Sequence, residues 1–167
     1  MPAGATYTTL ATTTLSSAQA SITFSSISAA YTDLVVVVSD FTTTAAGQSI
    51  YIEFNSDSST IYSSTWLNGN GSAASSARRT GDPRAFLGGY ATGTSTTEPC
   101  MAVGHIMNYS NTTTFKTLIA RWGLASAETN TVVNLWRSTS AINAIRIFTG
   151  STMKSGTIAS LYGIAAA

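Results

Sequence analysis

An all-β fold is what this sequence predicts: a single antiparallel sandwich, jelly-roll-like, of about ten strands. Three observations carry that prediction. Apolar residues recur with period two along most of the chain, and no stretch holds a helical period. Charged residues are only 9% of the 167 positions while hydrophobic residues stand at 44%. Serine and threonine fill the difference, and Thr, Val, Ile and Tyr suit pleated surfaces. Finally, short polar gaps rather than helices join the strand-like runs, which argues against the long crossovers of a parallel sheet.

Taken from the N-terminus, a first strand is predicted over Tyr7 to Leu15 and a short second one over Ala20 to Phe24, where Ile22 and Phe24 share a face. "TDLVVVVSD" comes next, and its unbroken apolar centre, Leu34, Val35, Val36, Val37 and Val38, predicts a strand covered on both sides. One side is the core. The other is either a subunit contact or lies beneath a long loop. "SIYIEFN" alternates cleanly, setting Ile50, Ile52 and Phe54 against Tyr51, Glu53 and Asn55. Ile61 to Leu67 reads as the next strand, followed by a turn at Asn68-Gly69-Asn70-Gly71.

Ser72 to Pro83 is small, polar and basic without periodicity, and reads as a loop. Further strands are predicted over Arg84 to Tyr90, Cys100 to Tyr109, Thr114 to Leu124, Asn130 to Arg137, Ala144 to Thr149 and Thr157 to Ile164. In "TFKTLIARW", Phe115, Thr117, Ile119 and Arg121 take one face and Lys116, Leu118, Ala120 and Trp122 the other. Ala91 to Pro99 is a second surface loop. Nothing marks a second domain, so residues 1–167 form one unit with a short N-terminal arm at about residues 1–6.

Composition narrows the function classes. A net charge of +1 gives no electrostatic pull towards nucleic acid or an anionic membrane. No apolar run reaches the ~20 residues of a membrane-spanning helix. The opening "MPAGATYTTL" lacks the basic and apolar regions of a signal peptide, which predicts synthesis in a cytoplasm. With one cysteine, Cys100, neither an intrachain disulfide nor a cysteine metal site can form.

Catalytic and cofactor patterns are weak. In "NSDSSTIYSSTW" the EF-hand spacing fails: Thr60 stands where glycine is needed and Trp66 where glutamate is needed, leaving Asp57 as one carboxylate. The stretch instead reads as a turn whose Asn and Asp side chains bond their own backbone. His105 is the only histidine and sits in a strand without a nucleophile elbow, so it is expected to be structural. No carboxylate spacing suggests a glycosidase, and no glycine loop cradles phosphate. The expectation is a protein that is not an enzyme and takes no cofactor or metal.

Two surfaces remain as contact candidates. Arg78, Arg79 and Arg84 concentrate charge and either clamp carboxylates on a partner or decorate a solvated loop tip. Trp66, Trp122 and Trp136, with Tyr62 and Tyr90, either stack on sugar rings as a glycan platform or fill the core and pair across strands.

Three blocks carry a family resemblance. "LATTTLSSAQASITFSSISAAYTDLVVVVSD", "IYIEFNSDSSTIYSSTWLNGNG" and the closing "SGTIASLYGI" resemble a family of small β-rich virion proteins and domains of tailed bacteriophages. The blocks cover 63 of the 167 residues and lie towards both ends of the chain. The resemblance implies a virion structural protein made in the bacterial host cytoplasm. When such a protein stands alone it is a capsid decoration, or cement, protein, commonly a trimer on the major capsid protein lattice. Its alternative role is a receptor-binding domain of a tail fibre or appendage, contacting host glycans.

Overall fold

The computed structural model describes residues 6–89 and 92–165. Their chain forms twelve strands: β1 (Tyr7–Thr14), β2 (Gln19–Phe24), β3 (Asp33–Phe41), β4 (Ile50–Phe54), β5 (Tyr62–Gly69), β6 (Ala74–Asp82), β7 (Ala85–Gly88), β8 (Cys100–Met107), β9 (Lys116–Leu124), β10 (Glu128–Trp136), β11 (Ile145–Met153) and β12 (Ile158–Ile164). Eight of them build one sheet in the order β1-β12-β3-β8-β9-β10-β5-β6, and four build another in the order β2-β11-β4-β7. Each neighbouring pair is antiparallel. The two sheets face one another across a single hydrophobic core, giving the antiparallel, jelly-roll-like sandwich the sequence predicts.

Alternation explains most of the strands. In β9, Lys116, Leu118, Ala120 and Trp122 point inward and are buried, while Thr117, Ile119 and Arg121 point outward. In β4, Ile50, Ile52 and Phe54 are almost wholly buried. The run Leu34 to Val38 divides between the two sides: Leu34, Val36 and Val38 lie in the core, whereas Val35 and Val37 are on the outward side of the larger sheet.

Two expectations need correction. The segment read as a loop from Ser72 to Pro83 contains β6, nine residues long and exposed from Ala74 to Gly81. Periodicity reports a strand only when one face is pressed against something, and β6 projects beyond the smaller sheet with neither face covered. The backbone ladder to β5 holds it instead. Asn68 and Gly69 therefore belong to β5, and the turn is confined to the residues between β5 and β6. There Asn70 Oδ1 accepts the amides of Ser72 (3.0 Å) and Ala73 (2.8 Å), an Asx cap on the hairpin. Residues 1–5 of the predicted N-terminal arm and the whole of Tyr90 lie outside the described residues.

Between the sheets, short β7 packs over β9 and β10. Asn134, buried in β10, serves β7 as a strand partner would. Its Nδ2 donates to Phe86 O (2.9 Å) and its Oδ1 accepts from Phe86 N (2.9 Å) and from Ser64 Oγ (2.6 Å). Further along β7, Gly88 lies hard against Trp122: a Cβ there would stand 2.1 Å from the indole's own Cβ. Asn134→Ala leaves Phe86 N–H and C=O buried and unpaired, each costing about 1–3 kcal/mol. Urea unfolding should show a loss of roughly 3 kcal/mol or more, with far-UV circular dichroism of the folded state unchanged.

Candidate functional site

The outward side of the larger sheet is its largest regular surface, and its chemistry is unusual. Strand register aligns residues in rows across it. One row runs through Thr65, Val133, Ile119, His105, Val35 and Tyr162. The next runs through Leu67, Thr131, Arg121, Val103 and Val37. Leu67 is 68% exposed, Met101 53%, Val133 47% and Ile119 39%. A shallow depression among Tyr7, Val35, Met101, His105, Ile119 and Arg121 lies within this field. Scattered apolar side chains are ordinary on a protein surface, but contiguous rows mark an interaction face.

Charge on this face is sparse: His105 and Asp33 form a pair, while Arg121 and Arg78 make no ion pair with the described residues. His105 Nε2 lies 2.9 Å from Asp33 Oδ2, and Asp33 Oδ1 accepts Asn108 N at 2.7 Å. Thus the only histidine, half-exposed within the row between Ile119 and Val35, is held by a carboxylate. Among the described residues no hydroxyl bonds to it. The sequence assigned Ile119 and Arg121 to one strand face but did not mark that face as a contact surface. Charge gave no sure signal, because β9 carries a cation on each face: Arg121 outward beside Ile119, and Lys116 inward and buried.

The three sequence-predicted arginines do not gather into one cluster. Arg78 and Arg79 are consecutive in β6, so they point to opposite faces: Arg78 pairs with exposed Thr65, Arg79 with buried Ser64. Arg79 leans over the ring of Phe86, 5.6 Å from its centroid. Arg84 lies in the bend just before β7 and stacks 4.1 Å over Tyr51 of the smaller sheet, and Arg146 stacks 4.4 Å over Phe148 on the same side. Stacking of this kind fixes guanidiniums by packing as much as by charge.

The glycan platform is corrected. Trp66, Trp122 and Trp136 are 8%, 2% and 2% exposed, facing inward from β5, β9 and β10. Their strand positions share the parity of the core residues, so their flat faces meet protein. Trp66 stacks on Phe86, and Trp136 packs against Phe54 and Tyr62.

The carboxylate-bearing turn after β4 serves that packing. Asp57 Oδ1 accepts the Ser59 amide and hydroxyl, and Asp57 Oδ2 accepts Trp136 Nε1 at 2.8 Å. Asn55, at φ 53°, bonds a distant loop and not its own backbone: Oδ1 accepts Asn143 N and Ala144 N, and Nδ2 donates to Ala141 O. These oxygens are engaged by protein donors. Among the described residues no group of three or more His, Cys, Asp or Glu side chains is placed to hold a metal. Cys100 is buried, and burial pushes its thiol pKa up, which suppresses thiolate chemistry.

Burial acting alone would raise the Asp57 pKa, but the Ser59 and Trp136 hydrogen bonds outweigh it and hold the value below the ordinary 3.8. A carboxyl depressed in the folded state stabilises fully above its unfolded pKa, and that contribution fades as pH falls through the folded value. Asp57→Asn should therefore be less stable than the parent at neutral pH. The gap should close as acid protonates Asp57, below about pH 4. Urea midpoints across pH for both proteins measure it.

No protein-family model matches the chain, and no curated protein matches it. Solved structures similar to it include the galectin LEC-6 of Caenorhabditis elegans, at 8% identity and a TM-score of 0.38, covering 93% of this chain and 96% of that one. An exo-inulinase from Aspergillus awamori is similar at 14% identity and a TM-score of 0.40, covering 96% of this chain and 29% of the inulinase. At such identities and scores neither neighbour bears on what this chain binds.

Proposed function

We propose that this protein is a virion structural component of a tailed bacteriophage: a capsid decoration protein that docks on the assembled shell and bridges its subunits. The observation that carries the reading is the outward face of the larger sheet, where Leu67, Val133, Ile119 and Met101 expose aliphatic surface among few charges. Such a face loses little on desolvation and gains from every apolar group it covers, which favours protein over a polar ligand. The resemblance of three sequence blocks to phage virion proteins supplies the partner, the major capsid protein lattice.

The mechanism is thermodynamic. A protein that binds the closed shell and not its dissociated subunits stabilises the shell by mass action. Many copies spread over subunit seams sum modest interfaces into a large effect. A homotrimer matches the three-fold positions of a shell lattice, and Val37, half-buried, lies on the side it would cover, whereas Val35 is already buried in the single chain. The glycan-binding alternative loses its main support, because the indole faces it requires are inside the core.

Purified protein should add to undecorated shells with saturating, fixed stoichiometry and raise their resistance to heat. Ile119→Asp and Val133→Asp change outward residues and should weaken shell binding about tenfold or more, with the melting temperature of the free protein little altered. If the parent does not bind shells, or both variants bind as the parent does, the proposal fails.

A further inference from the structure

We propose that the open edge of β6 is a strand-addition site for an extended acidic segment of another protein, with a carboxylate set opposite Arg78. The sandwich has four sheet edges, formed by β1, β6, β2 and β7. Of these strands, β6 alone carries Lys or Arg, and it is exposed on both faces. Its pairing with β5 stays in regular register from Ala74 to Thr80, with the shift falling beyond, between Thr80 and Asp82. Seven residues of ladder therefore present backbone groups on the far side with no proline and no bulge to interrupt them. Proteins commonly blunt an edge with those very devices, and here charge is the device left.

That charge selects the occupant. Arg78 is the middle residue of the nine in β6 and makes no ion pair with the described residues. A second copy pairing antiparallel through the whole of β6 about a two-fold axis would set Arg78 across from Arg78, and like charges directly opposite are destabilising; the register that sets Asp82 opposite Arg78 keeps only residues 78–82 and crosses the irregularity between Thr80 and Asp82. Pairing with β1 of another copy, YTTLATTT, offers no carboxylate. A neutral strand gains the ladder alone. An acidic strand gains the ladder and a charge-assisted contact at its centre, while the small side chains of Ala74, Ser75, Ser76 and Ala77 leave space for its neighbours. Arg78 continues the Thr65-Val133-Ile119 row of the docking face proposed above, so the site is tested on the free chain with peptides and no shells, where it holds or fails whatever the outcome of shell binding.

The test uses the full chain and fluorescent peptides of sequence TVTETVT, a lysine-centred TVTKTVT, and a TVTETVT N-methylated on alternate amides. The glutamate peptide should bind saturably, more tightly at low salt, and protect the amides of residues 74–80 from exchange. The lysine peptide should bind about tenfold more weakly, and Arg78→Glu should reverse that preference. N-methylation should abolish binding. Glutamate-peptide binding that survives N-methylation would mean an ionic contact without strand addition, and overturn the site. So would equal binding of the two charges, no binding at all, or self-association that depends on Arg78.

Discussion

A single buried amide lets the two sheets of this sandwich close. The strand β7 is four residues long and lies at an edge of the smaller sheet, inside the molecule, where unpaired backbone groups are costly. Asn134 supplies both a donor and an acceptor to Phe86, acting as one residue of a strand in cross-section. Ser64 completes the remaining lone pair from the neighbouring strand. With β7 fixed, Gly88 can rest against Trp122 and Phe86 against Trp66. The position of three large aromatic side chains thus follows from one polar one.

The other end of the core depends on a similar balance between polar and apolar groups. Trp136, Tyr62 and Phe54 form an aromatic cluster whose polar tips must be satisfied on burial. The turn after β4 does this with Asp57 on the indole and its own carbonyl on the Tyr62 hydroxyl. Asn55 meanwhile ties the turn to residues 141–144. What resembles a ligand loop in sequence is a lid over the core, and its side chains point at protein.

With the aromatics committed inside, two kinds of surface are left for contact. The outward face of the larger sheet is broad, regular and apolar, so its interactions scale with area and tolerate shape mismatch poorly. The edge at β6 is narrow and directional, governed by backbone hydrogen bonds and by the sign of one charge. A face of the first kind suits a fixed lattice; an edge of the second kind suits a flexible segment.

Sequence by itself determined the class of fold and the place of eleven of the twelve strands, because most of those have one face against the core and so write a period of two, while β3 and β7 stand out as unbroken apolar runs. It also excluded a metal loop at Asp57 through missing ligands. It could not find β6, whose two exposed faces leave no pattern, nor decide whether Trp66, Trp122 and Trp136 looked in or out. Alternation separates a strand's two faces but carries no sign saying which is the core. Only packing assigns that sign, once the sheets have met. Asn134 shares the parity of Val132 and Trp136, so its place on their face was readable, whereas the inward direction of that face and the bond to Phe86, 48 residues away, were not. Tertiary structure alone decided that the arginines stand apart and that the aliphatic rows join into one face, since register between strands distant in sequence exists only after folding.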